Sequence, residues 1–208
     1  YMTEWLREEI ARRRKTGQLG EDMMGQLLRQ AVLDDEGVRR TLGGMLVGSV
    51  DTTASAVAKI VKVAARDPDL LRRMEADAGD LGRLYGWCNE ALRRWPHNPL
   101  VMREAVADSE LGGQAVKRGD TIYAMTQAAM LDARVFPEPQ EMRPDRDPSG
   151  YLHLGWGVHP CSGRPVNRFQ IPLLVGGLLR KGIHSAGKVG WTGPFPSRLI
   201  VTLREGSR

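Results

Sequence analysis

The stretch Leu154-Gly155-Trp156-Gly157-Val158-His159-Pro160-Cys161-Ser162-Gly163 decides how this chain is read. Three glycines bracket one cysteine. A helical pattern follows at once, from Arg164 to Arg180, with Pro172 predicted to kink it. Glycine removes the Cβ and frees the backbone to turn, so such a loop can bring a sulfur close to something flat. The helix behind it aims its N-terminal N–H groups at that sulfur, which favours thiolate over thiol.

Taken alone, the loop leaves three readings open. One is a sulfur ligand for a haem iron. Another is a buried, inert cysteine in a glycine-rich turn. The third is a zinc site from His153, His159 and Cys161, which lacks the usual paired spacing and a fourth ligand. Working upstream, Val135 to Gly150 holds Pro137, Pro139, Pro144 and Pro148 and reads as an irregular loop. A long unstructured loop is uncommon in a compact domain unless it serves a function. Before it, Asp80 to Trp95 reads as a helix ended by Pro96, with Glu90 and Arg93 on one face. Such a pair is usually a surface pair of little energetic consequence. Arg146 in the proline-rich loop gives it weight, because a second guanidinium can chelate the same carboxylate and pin the loop to the helix.

From Glu36 to Arg66 there is no proline and almost no charge in the middle. This predicts one long helix, about 45 Å at ~1.5 Å per residue. Gly43, Gly44 and Gly48 cost helix stability, so they need a reason: the close approach of a neighbouring helix or of a flat ligand. Gly48-Ser49-Val50-Asp51-Thr52-Thr53 then sets a charge and two threonine hydroxyls into the apolar pattern. A threonine there can bond back to a carbonyl one turn earlier. Asp51 beside Thr52 can relay protons to a ligand over the small Gly48 surface. The alternative is a polar patch turned to solvent.

Tyr1 to Lys15 and Asp22 to Val32 read as shorter helices, as does Pro68 to Ala78 after the cap Asp67. Leu100 to Met125 changes period and reads as short strands, with turns at Gly112-Gly113 and Gly119-Asp120. Gln127 to Asp132 reads as one helical turn and Trp191 to Leu203 as a terminal hairpin. The expected fold class is mainly α with small β-sheets, in a single domain over residues 1–208. Of the 208 residues, 41% are apolar and 26% charged, which excludes wholesale disorder. No apolar run is long enough for a membrane span. Two cysteines make no disulfide framework, which fits a reducing, cytoplasmic setting. Much of the net charge of +5 sits in Arg12-Arg13-Arg14-Lys15. That run lacks an aromatic or glycine pattern and reads as a solvated helix face, not a nucleic-acid site.

With these segments in this order, the chain resembles the haem-thiolate monooxygenases of the cytochrome P450 family, from about Glu36 to the C-terminus. The family's cysteine-loop pattern is met at Gly157, His159, Cys161 and Gly163, with Leu154 where an aromatic usually stands. Glu90 and Arg93 match its Glu-x-x-Arg pair, Arg146 the third member, and Ala128 to Pro137 looks like the stretch between them. Gly48 to Thr53 matches its Ala-Gly-x-Asp/Glu-Thr-Thr motif, with Ser49 in place of a glycine. The resemblance implies haem b as cofactor and Cys161 as the proximal thiolate ligand, whose electron donation favours O–O cleavage. It implies that Gly48, Leu154, Gly155, Gly157 and Gly163 line the haem and that Arg103 and His159 hold its propionates. Asp51 and Thr52 would be catalytic, guiding protons; Glu90, Arg93 and Arg146 would be structural, holding the cysteine loop.

It further implies oxidation of a small organic substrate with electrons from a ferredoxin or flavoprotein reductase. Two alternatives stand beside this: a peroxide-using peroxygenase or hydroperoxide isomerase, and a degenerate haem-binding or interaction module. The family's chains are much longer, so the resemblance also implies that the N-terminal half of the fold is lacking, or lies on a companion chain.

Overall fold

A computed structural model describes residues 1–30, 32–192 and 195–205 of the chain. They divide into two compact units, residues 1–52 and 53–208. In the first unit, α1 (Met2–Thr16), α2 (Met23–Gln30) and the start of α3 (Asp35–Ala64) form a core of Leu6, Ile10, Met24, Leu28, Val38 and Leu42. These side chains recur every three to four residues, the helical spacing that puts them on one face. The three arginines of the basic run of α1 are engaged in ion pairs: Arg12 with Glu9 at 2.6 Å, Arg13 with Asp22 at 2.6 Å, Arg14 with Asp35 at 3.1 Å.

The second unit holds the larger core. The end of α3, α4 (Pro68–Ala76), α5 (Leu81–Arg94) and α7 (Arg164–Arg180) each contribute a stripe, among them Ile60 and Ala64, Leu71 and Met74, Leu84 and Trp87, Val175 and Leu179. Burying one such large apolar side chain contributes ~1.5–3 kcal/mol. Cys88 lies within this core on α5, and burial pushes its thiol pKa up. Asp67 caps α4 by accepting from Asp69 N and Leu70 N, with Pro68 in the first turn; Asp80 caps α5 the same way. α7 runs through the buried Pro172 without a break. Lys59 Nζ donates to the Pro96 carbonyl at 2.6 Å, and His97 lies 3.0 Å from Ser55, so α3 is tied to the chain leaving α5.

Three two-stranded antiparallel sheets complete the described fold: β1 (Val101–Glu104) with β4 (Thr121–Ala124), β2 (Ser109–Leu111) with β3 (Gln114–Val116), and β5 (Ile183–Thr192) with β6 (Phe195–Leu203). A single turn of helix, α6 (Thr126–Ala129), follows β4. The terminal hairpin is longer than the sequence predicts, because β5 begins at Ile183 and pairs with Leu203. Three register shifts and the glycines at 187 and 190 erase the alternation that marks a strand. The proline-rich loop is irregular apart from one 3-10 turn, Pro148–Gly150. A Cβ at Gly44 or Gly48 would meet nothing within 4 Å among the described residues. The neighbouring helix that could have explained those glycines is therefore not supplied by the described chain. No described helix is long and apolar enough to cross a membrane.

Candidate functional site

Glu90 is the hub around which the site is built. α5 turns it and Arg93 inward, and both side chains are 0% exposed. Ionised groups out of water are costly unless paired and hydrogen-bonded. Glu90 meets that demand with five donors. Arg93 forks onto it through Nε at 2.7 Å and Nη2 at 3.1 Å. The Arg143 backbone N–H donates at 3.0 Å, Arg146 Nε at 3.2 Å and the Tyr151 hydroxyl at 2.7 Å. Burial raises the Glu90 pKa, but these donors outweigh it and hold the carboxyl below its usual range. Burial and the facing carboxylate push the Tyr151 phenol up, so it stays a donor.

The same guanidiniums hold the proline-rich loop. Arg93 donates to the carbonyls of Met130 at 2.8 Å and Glu141 at 3.1 Å. Arg146 donates to those of Pro137 at 2.7 Å and Glu138 at 2.8 Å. Phe136 covers Arg93 at 5.2 Å and stacks on Tyr151 at 5.8 Å, with 4° between the rings. Gly86, one turn before Glu90, lets the loop lie against α5: a Cβ there would stand 2.0 Å from the Pro144 carbonyl oxygen.

From Tyr151 the chain enters the cysteine loop. His153 Nε2 lies 3.1 Å from Asn89 Oδ1, beside Glu90 on α5. The amide oxygen can only accept, so Nε2 carries the proton and Nδ1 is a bare acceptor. Nδ1 is buried and has no partner. Burial, with Arg164 nearby, lowers the His153 pKa to about 4. The zinc reading of His153, His159 and Cys161 fails here: no group of three His, Cys, Asp or Glu that could hold a metal ion occurs among the described residues. His153 is instead committed to α5.

The loop then closes on itself. Cys161 N–H donates to the Leu154 carbonyl at 2.7 Å, and Arg164 Nη2 donates to the Gly155 carbonyl at 3.0 Å. Gly155 and Gly157 take left-handed backbone, φ 77° and 76°. A Cβ on Gly155 would also stand 2.9 Å from the His159 carbonyl. Cys161 sits exposed and outside any disulfide, two residues before Gly163, the N-cap of α7. Trp156 and Val158 beside it are 70% and 89% exposed.

The structure thus gathers Glu90, Arg93 and Arg146 into one network and places Leu154, Gly155, Gly157, His159, Cys161 and Gly163 in one loop. Arg103 stands apart on β1, exposed, donating to the Met102 carbonyl at 2.8 Å. Gly48, Asp51 and Thr52 belong to the first unit. There the Thr52 hydroxyl donates back to the Gly48 carbonyl, and Asp51 is exposed. Sequence reasoning missed Tyr151, Asn89 and the role of His153. The one available signal was a tyrosine in the loop, whose hydroxyl needs a partner once buried.

The family model described as Cytochrome P450 matches residues 2–181. The chain belongs to the cytochrome P450 family. Cytochrome P450-terp of Pseudomonas sp is 31% identical over 170 residues, 82% of this P450 and 38% of that protein. Cytochrome P450 monooxygenase PikC of Streptomyces venezuelae is 32% identical over 203 residues, 91% and 47% of the two chains. Among solved structures, CYP108D1 from Novosphingobium aromaticivorans matches with a TM-score of 0.72 at 27% identity, over 96% of this chain and 49% of that one. CYP109Q5 from Chondromyces apiculatus shares the fold, with a TM-score of 0.79 at 23% identity over 99% and 55%. This P450 therefore spans less than half the length of those curated relatives and is a partial P450 fold, mainly helical with small sheets.

Membership implies a haem. The donor chemistry fits: Cys161 offers one exposed, unbridged sulfur in a loop with apolar side chains around it.

Proposed function

We propose that this P450 is the cysteine-ligand half of a haem-thiolate monooxygenase that oxidises a small organic substrate. The observation that supports it best is Cys161, exposed at the mouth of a self-closed loop, with Gly163 the glycine whose Cβ would come to 3.6 Å from the sulfur. Haem b, when bound, supplies reductive activation of dioxygen and transfer of one oxygen atom to the substrate. Cys161 is the residue that holds its iron, through a thiolate. Arg103 and His159 hold the propionates by charge and hydrogen bonds. Leu154, Gly155, Gly157 and Gly163 would shape the surface the ring lies against.

Asp51 and Thr52 handle the proton. The Thr52 hydroxyl gives its hydrogen to the Gly48 carbonyl, which leaves its oxygen lone pairs free to accept one. Asp51 is exposed to water. The Glu90, Arg93 and Arg146 network does not touch substrate; it fixes the chain from which the cysteine loop departs. Electrons come from a ferredoxin or flavoprotein reductase in the cytoplasm, and the net charge of +5 favours an acidic donor. The rest of the family fold, upstream or on a companion chain, completes the pocket.

The test is a spectrum. The chain is loaded with haem, reduced and exposed to carbon monoxide. A strongly red-shifted Soret band is expected, and Cys161→Ala abolishes it. Survival of that band in the variant overturns the ligand assignment.

A further inference from the structure

We infer that this P450 carries a second small-molecule site, for a hydroxylated organic anion, in the cavity walled by the first half of α5, residues 147–154 and the first turns of α7. The cavity is open to solvent on one side and has a volume of about 850 Å³, within the ~300–1,000 Å³ typical of ligand sites. It combines apolar walls with a few convergent polar groups, the composition such sites show. Leu81, Tyr85 and Phe169 give the walls an apolar body.

Charge selects the ligand's head. Arg164 and Arg168 line the cavity. Neither is in an ion pair: Arg164 is bonded to the Gly155 carbonyl, and Arg168 has no side-chain partner among the described residues. Asp147 is the one acid in the lining, and its carboxylate is held by the Ser149 N–H at 2.9 Å and hydroxyl at 2.8 Å. Two guanidiniums against one carboxylate leave the lining net positive, which favours an anion, and guanidiniums suit carboxylates best.

His153 selects the rest. It too lines the cavity. Its Nε2–H goes to Asn89, and Nδ1 remains a buried acceptor without a partner. Such groups are rare in native proteins and call for a donor. A ligand O–H is the donor that fits a neutral imidazole. Together these demands describe a carboxylate with an apolar body and a hydroxyl. Inorganic phosphate lacks the body and a neutral alcohol lacks the charge. Because Arg164 also grips the Gly155 carbonyl and His153 precedes Leu154, an occupied cavity braces the cysteine loop.

The inference rests on the packing of the second unit and not on the haem-thiolate reading, so the two fail separately. The test uses the full chain, labelled with nitrogen-15 at histidine and titrated with 4-hydroxybenzoate and with 3-hydroxydecanoate. Expected is saturable binding of at least one, with the His153 Nδ1 resonance moving to a hydrogen-bonded shift. Arg168→Gln, at an exposed position that the core does not use, weakens that binding about tenfold, as does replacing the carboxylate in 4-hydroxybenzyl alcohol. The inference is overturned if neither anion saturates, if Arg168→Gln leaves affinity unchanged, or if only the resonances of other histidines move.

Discussion

Replacing Glu90 by Gln tests the whole frame of the site with one oxygen. Glutamine keeps the shape but removes the charge and turns one acceptor into a donor. Whichever oxygen is lost, an N–H₂ then faces N–H donors that it cannot match: Arg93 Nε on one side, where Tyr151 must also reverse its hydroxyl, or Arg93 Nη2, Arg143 N and Arg146 Nε on the other. Arg93 remains fully buried without its counter-charge. Removing one partner of a buried ion pair costs ~3–5 kcal/mol, against a total stability of ~5–15 kcal/mol for a typical domain. With a urea slope of about 2 kcal/mol/M, a loss of ~4 kcal/mol lowers the unfolding midpoint by about 2 M. The assay is urea unfolding followed by circular dichroism at pH 7, with Arg12→Gln in the exposed pair on α1 as a control expected to show no shift. A Glu90→Gln midpoint indistinguishable from that control would refute the reasoning. Acid should reach the same end point. The Glu90 carboxyl sits below its ordinary 4.5, so its stabilisation is present above that pH and is lost as pH falls through the folded value.

Gly86→Ala places a methyl group 2.0 Å from the Pro144 carbonyl oxygen, so the proline-rich loop has to lift from α5. Expected are a loss of ~1–3 kcal/mol in thermal unfolding and faster proteolysis within residues 135–150. His153 gives a second pH dependence: its pKa is about 4 when folded against 6.5 ordinarily, so it is buried neutral, and stability falls as pH drops from 6.5 towards 4, by about 3 kcal/mol at most. Urea midpoints across that window should lose most of this slope in His153→Gln, while the smaller contribution of His97, also shifted down by burial, persists.

The helices were legible because their apolar stripes, caps and proline stops are local. Asp67-Pro68 and Asp80 announce α4 and α5 within a few residues. The cysteine loop was legible for the same reason, since its glycines are spaced by the turn they must make. The hydrogen bonds around Glu90 span sequence separations that no local pattern encodes: Arg146 stands 56 residues away and Tyr151 61. Arg146 shows itself as a second guanidinium in the proline-rich loop and as a member of the family motif, whereas Tyr151 carries neither mark. β5 escaped because bulges and glycines remove its period, and the glycines of α3 could be seen to need a neighbour without revealing which one.

The two cysteines have opposite surroundings, and this makes the chain its own chemical reporter. Cys161 stands open to solvent while Cys88 is sealed on the core face of α5 at 1% exposure. In the haem-free chain a maleimide dye under native conditions therefore lands at one address without any engineering, and the uptake of a second equivalent times each opening of the helical interior.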